Sequence, residues 1–318
     1  MILPGAPLGE TTTLPGNDTT HTGPRKPTGL PAALTWIPVQ LLLLFLVLAA
    51  LDLACQLLGA GLVRAAPVAL RDEARLLAAL ILSVAMIVAY RWLVRVLEQR
   101  PADELRDSLA ARGLAAGVAT GAALFALVYL ILWALGAVSF AGFGAFSGLG
   151  SALAVAIASA VGEEIVFRGV VFRKLEESLG TTIALIISAV AFGLLHGFNP
   201  GASWTSTLAI ALESGVLLGL AYAATRSLWL PIGLHLGWNF TEGGIFGAAV
   251  SGGQYTGLIN APLSGPPWLT GGAFGPEASL AALLVSLGAS AALAWYVMRT
   301  GASRPPRWRL RCADAAGL

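Results

Sequence analysis

Eight apolar runs, at about 36–60, 76–95, 114–139, 150–171, 182–198, 205–224, 228–248 and 278–298, constrain this 318-residue chain more than any other feature. A helix rises ~1.5 Å per residue, so about 20 apolar residues cross a hydrocarbon core ~30 Å thick. Composition agrees. Apolar residues make up 57% of the chain, charged residues 11%, and the mean hydropathy is +0.78, whereas a soluble domain carries about 25% charged residues. A soluble protein of this size could not cover its surface with so few charges. The sequence therefore predicts an all-α, polytopic transmembrane bundle of about eight spans, occupying residues 31–299.

Residues 1–30 are rich in Gly, Pro and Thr and lack the early apolar run of a signal peptide, so they read as a disordered tail. Residues 300–318 form a basic tail suited to anionic headgroups. The Gly/Pro-rich stretch from Ser251 to Pro276 carries no Lys or Arg and reads as an irregular outer loop, re-entrant or not. With the N-terminus in the cytoplasm, 16 of the 19 Lys and Arg residues fall on the inner side. The remaining three, Arg64, Arg71 and Arg75, share one loop with Asp72 and Glu73. This asymmetry favours eight spans with both termini inside.

Other classes find little support. Net charge is +2, and no basic cluster with interleaved aromatics points to nucleic acid. Cys55 and Cys312 offer neither a disulfide framework nor metal-ligand spacing. No internal repeat suggests a transporter's inverted halves. Tryptophans near span ends, including Trp36, Trp92, Trp229 and Trp295, read as interfacial anchors.

Ionisable residues inside spans cost about 2.5–3.5 kcal/mol each on insertion scales, so they call for an explanation. The fourth span contains Glu163 and Glu164, ~100° apart on the helix. Glu164 and Arg168 are spaced i,i+4 and can pair on one face. Glu163 then points elsewhere without a local cation, in a setting that disfavours its charged form and makes it a candidate general base. The plainer reading is a set of interfacial charges at the cytoplasmic end.

Only three histidines occur. His21 lies in the tail, His196 ends the fifth span and His235 lies in the seventh. His235 and Asn239 are again i,i+4, so one helical face presents an imidazole and a carboxamide, two donors suited to a developing oxyanion. An interhelical polar clamp is the rival reading. Glu213 in the sixth span is either a further group behind this site or an ordinary interhelical polar contact, and Asp52 in the first reads as structural.

Taken together, Glu163-Glu164-x-x-x-Arg168, Phe192-x-x-x-His196 and His235-x-x-x-Asn239 resemble the three signature motifs of the CPBP (Abi) family, which includes the type II CAAX prenyl endopeptidases. The lead-in Ser227–Ile232 is also similar, and the resemblance covers about 145–245. It implies an intramembrane endopeptidase acting on a membrane-associated protein or peptide, with Glu163 and His196 activating water and His235 and Asn239 stabilising the oxyanion. Glu164 and Arg168 would support that site and Phe192 would pack beside His196. Glu163, His196 and His235 are also the right types and number for a catalytic zinc ion. They lack the H-E-x-x-H spacing, however, and zinc leaves Asn239 without a role. The metal-free arrangement is preferred, with no cofactor.

Simple depth arithmetic places His196 further out than Glu163 and His235. The alternatives are a non-catalytic membrane immunity or scaffold protein, or a proton-coupled transporter. Composition and the lack of a transit or retention signal tilt localisation toward a bacterial plasma membrane. Oligomeric state is not encoded in any motif.

Overall fold

A computed structural model describes residues 36–144, 146 and 148–307; the tail read over 1–30, His21, Arg309, Arg311 and Cys312 lie outside the described residues. The ten α-helices among the described residues are α1 (Ile37–Ala65), α2 (Arg71–Leu93), α3 (Ala110–Ala134), α4 (Leu149–Glu164), α5 (Arg173–His196), α6 (Trp204–Ile210), α7 (Val216–Thr225), α8 (Trp229–Asn239), α9 (Pro267–Thr270) and α10 (Leu280–Thr300). Wider π-helical turns extend α2 (Val94–Glu98), join α4 to α5 (Ile165–Phe172), join α6 to α7 (Ala211–Gly215) and extend α8 (Phe240–Ile245). No strand is present among the described residues, only isolated bridges such as Val138–Leu263 and Phe143–Ile259 that pin the loop after α3 to the stretch before α9.

Among the described residues, six continuous helical stretches are long and apolar enough to cross a membrane: Ile37–Ala65, Val68–Glu98, Asp107–Ala134, Leu149–His196, Trp204–Thr225 and Leu280–Thr300. The chain is an integral membrane protein with an all-α bundle fold. Trp204–Thr225 is the central rod, with 72% of its most apolar window buried, whereas Ile37–Ala65 is peripheral at 17%. The outward leucines of α1, including Leu42, Leu46, Leu53 and Leu57, are exposed and suited to lipid contact.

The 48-residue stretch Leu149–His196 is not one rod. At Gly180 the backbone leaves helical geometry (φ 77°, ψ 168°), a conformation that glycine adopts without a Cβ penalty. The chain reverses there, and the Gly180 turn packs against Arg304 and Pro306. This changes the depth arithmetic. The first arm runs helically through Arg173, Lys174, Glu176 and Glu177 instead of ending near 171. Glu163 lies 17 residues before Gly180 and His196 lies 16 after it. The two arms are therefore nearly equal in length, and His196 returns to the level of Glu163.

Small residues fix the helix carrying His235. Gly113, Gly117 and Gly121 recur every four residues on α3 and pack against α8, whose Gly233 and Gly237 in turn meet the α3 backbone. A Cβ on Gly117 would lie 2.4 Å from the Leu230 carbonyl oxygen, and one on Gly121 would lie 2.1 Å from that of Leu234. Such backbone proximity is the usual basis of helix association in lipid. Trp229, at the start of α8, departs from the anchor expectation. It is 8% exposed and its indole N–H donates to the Arg106 carbonyl at 3.0 Å, whereas Trp36, Trp92 and Trp295 are exposed.

Candidate active site

The fully buried Arg168 organises the candidate site. Its Nη1 donates to Glu164 Oε1 at 2.8 Å, the i,i+4 pair expected from the sequence, and its Nη2 donates to the carbonyls of Ser214 and Gly215 at 2.7 and 3.2 Å. Those carbonyls lie in the π-turn Ala211–Gly215. Widening a helix there interrupts the regular i→i−4 ladder and leaves carbonyls for a guanidinium. The same guanidinium stacks over Phe192, 4.6 Å from the ring centroid.

Phe192 in turn separates the two imidazoles, with ring centroids 4.5 Å from His196 and 6.4 Å from His235. It is 1% exposed and also meets Phe167 edge-on. One aromatic wedge thus holds both histidines.

The two histidines differ in their hydrogen bonds. His196 Nδ1 lies 2.9 Å from the Phe192 carbonyl oxygen, which only accepts, so Nδ1 carries the hydrogen. Its Nε2 faces Glu163 Oε2 at 3.8 Å. His235 Nδ1 lies 3.1 Å from Glu164 Oε1, the oxygen already paired with Arg168. A carboxylate in that position accepts, so His235 donates from Nδ1. Donation from its Nε2 as well requires the doubly protonated ring.

Asn239 lies one turn beyond His235, and its Nδ2 donates to Ser159 Oγ at 3.3 Å. Ser159 precedes Glu163 by four residues, so Asn239 meets the face of α4 that carries Glu163. Glu163, Glu164, Arg168, Phe192, His196, His235 and Asn239 are thereby joined through contacts among α4, α5 and α8.

A cavity of about 250 Å³ opens beside Glu163 and His196, with Asp52, Gly162, Phe167 and Asn199 also in its wall. Asp52, read from sequence as structural, sits against Gly162, where a Cβ would lie 2.8 Å from its Oδ1. Among the described residues, no group of three or more His, Cys, Asp or Glu side chains is arranged to hold a metal ion.

Glu213 does not touch this group directly. It lies fully buried among two residues that sequence reasoning missed, Glu242 and Glu277. Glu242 follows His235 by seven positions and Asn239 by three, a spacing visible in the sequence as one helical face. Glu277 comes from the short turn just before α10, where no periodicity marks it. Burial pushes the Glu277 carboxyl above the ordinary glutamate range; its hydrogen bonds from Ser251 and the charges of His196 and His235 offset only part of that.

Residues 145–241, the segment holding all three motifs, match the family described as "Type II CAAX prenyl endopeptidase Rce1-like". The Bacillus subtilis (strain 168) protein named "Putative membrane peptidase YdiL" is 33% identical over 90 residues, 27% of this chain and 34% of that protein. The chain thus spans about a third of the length of that relative. No solved structure matches the chain. The family resemblance carried by the motifs is therefore also carried by the sequence between them.

Proposed function

We propose that this protein is an intramembrane endopeptidase that hydrolyses a peptide bond of a membrane-associated protein or peptide by metal-free, glutamate-activated water. The observation that carries the reading is the pairing of His196 Nε2 with Glu163 Oε2, 3.8 Å apart at a cavity wall. With Nδ1–H committed to the Phe192 carbonyl, Nε2 is an acceptor, and the Glu163 carboxylate is another. Two acceptors at that separation match one water molecule that donates a hydrogen to each. Polarised from both sides, its oxygen attacks the scissile carbonyl as Glu163 takes a proton.

His235 and Asn239 supply the donors for the resulting oxyanion: Nε2–H of the doubly protonated imidazole and the carboxamide hydrogen not directed at Ser159. Arg168 and Glu164 hold His235 in that state and orientation. The bundle spans the membrane eight times with both termini in the cytoplasm, in a bacterial plasma membrane, and its substrate reaches the cavity between α1, α4 and α5.

Proteolysis is tested by comparing protein termini in membranes expressing wild type or Glu163→Gln at matched levels, with thermal unfolding of each purified protein as the folding control. New termini confined to wild type are expected, and they survive chelator treatment. Identical termini with a folded variant overturn the reading, and loss on chelation with recovery on zinc overturns its metal-free form. Asn239→Ala separates this chemistry from a proton-coupled transporter. Removing one oxyanion donor costs about 10²–10³ in rate, whereas a proton path leaves that residue nearly dispensable.

A further inference from the structure

Glu213, Glu242 and Glu277 are 0%, 0% and 3% exposed, and none of them forms an ion pair among the described residues. Three carboxylates so buried cannot all stay ionised, because each charge pays the full loss of hydration and repels the other two. The hydrogen bonds show how the charge is divided. Glu277 Oε1 accepts twice from Ser251, from its backbone N–H and from its hydroxyl at 2.8 Å. An oxygen that accepts two donors is where a negative charge is best held.

Glu242 Oε1 accepts from the Glu277 backbone N–H at 3.2 Å, while Oε2 has no conventional donor. That backbone bond brings the two carboxyl groups close together, where a shared proton relieves their repulsion. Neither oxygen of Glu213 has a well-formed hydrogen bond; the hydroxyl of the adjacent Ser214 is near but poorly aligned. Glu213 faces the other two carboxyls from the π-turn between α6 and α7.

We propose that these three glutamates form a buried proton-holding site, in which Glu242 and Glu213 are carboxylic acids and Glu277 is the single carboxylate, a second counter-charge to imidazolium His235 behind its direct partner Glu164. Glu242 donates its O–H to Glu277, and no proton leaves the cluster at rest. The other titratable groups facing it are His196 from α5, His235 from α8, Tyr129 from α3 and Tyr255 from the stretch before α9. None of them is a fixed cation, so the charge of Glu277 falls to the histidines. Because Glu277 belongs to the segment after Ser251, that segment takes part in setting the protonation of the candidate active site. Glu277 is a positioning residue in this scheme, acting through His235.

The arrangement is tested on the purified full-length protein without any substrate, so its outcome is independent of whether proteolysis is found. Infrared spectra at pH 7.5 in H₂O and D₂O are expected to show carboxylic C=O absorption equal to two buried acids and shifting on deuteration. Glu242→Gln and Glu213→Gln each remove one component, whereas Glu277→Gln removes none and moves the Glu242 component to the frequency of a more weakly bonded acid.

Nitrogen-15 spectra of the three histidines should show His235 as imidazolium at that pH, with its titration moved to lower pH in Glu277→Gln and not in Glu213→Gln. Absence of protonated-carboxyl absorption in wild type overturns the proposal without reference to any variant's folding. So does a neutral His235, or a stoichiometric metal ion in elemental analysis that Glu242→Gln abolishes.

Discussion

Two buried clusters in this molecule contain three glutamates each, and they handle the charge in opposite ways. Around the joint of α2 and α5, Glu98, Glu104 and Glu177 meet Arg100, Arg173 and Lys174. Arg173 binds Glu98 at 2.6 Å and Glu177 at 2.9 Å, Lys174 reaches Glu98 at 3.2 Å, and Arg100 grips both oxygens of Glu104 at 2.9 Å. Tyr90 adds its hydroxyl to Glu104 and to the Gly169 carbonyl. At the other cluster, Glu213, Glu242 and Glu277 have no lysine or arginine paired with them among the described residues. The first cluster neutralises its acids with cations and so clamps helices together; the second keeps charge low with protons and stays responsive. Placement follows use, since the clamp ties α2 to the turn after Glu163 and the carboxyl group lies beside the histidines.

The sharpest way to break this comparison is to remove one cation. Arg173→Met leaves Glu98 and Glu104 buried with too little positive charge, and truncating one member of a buried ion network costs about 3–5 kcal/mol. A large fall in the thermal unfolding midpoint of the purified protein is expected. A change within error would mean that the clamp is decorative.

Ser251→Ala acts on the other cluster and should cost less. It removes a hydroxyl donor from Glu277 while leaving the backbone N–H in place. A hydrogen bond to a charged acceptor is worth about 1.5–3 kcal/mol, so the midpoint falls by about half as much as for Arg173→Met. Thermal unfolding of both variants in one detergent gives the ratio directly.

How much of this is legible in the sequence depends on the kind of signal. The rods of α1 to α3 and α10 are visible because a lipid-facing helix needs nothing but apolar side chains. The turn between the fourth and fifth spans is misplaced from sequence because Arg173, Lys174, Glu176 and Glu177 look like a solvated loop, although the first three are buried as helix, Arg173 and Lys174 by the clamp and Glu176 by Arg226 and Thr181. The misjudged depth of His196 follows from that error. Glu164 with Arg168, and His235 with Asn239, are readable because each pair sits on one turn. The glycine ladder Gly113, Gly117 and Gly121 opposite Gly233 and Gly237 is present in the spacing, and it marks α3 as the partner of α8. Glu277 cannot be found this way, since its neighbour Glu242 is 35 residues distant and only the fold of the intervening chain unites them.

The smallest effect is the most discriminating, because the two clusters should respond to pH with opposite signs. Burial pushes the Glu104 carboxyl up, but the Arg100 hydrogen bonds and the charges of Arg173 and Arg100 outweigh it and hold the group below the usual glutamate range. A carboxyl depressed in the folded state adds stability above its unfolded value, about 4.3, and loses it as pH falls through the folded one. Glu277 is shifted upward, so its contribution is intact below the unfolded value and is lost as pH rises from there through the folded one. Glu104→Gln should therefore flatten the rise of unfolding midpoint with pH below about 4.3, and Glu277→Gln the fall of the midpoint with pH between that value and neutrality. A tenfold change in proton affinity is worth only about 1.4 kcal/mol, so the slopes are modest and their signs are the result to read. Two variants that flatten the same side would show that both clusters are held by cations, and the contrast between clamp and proton store would fail.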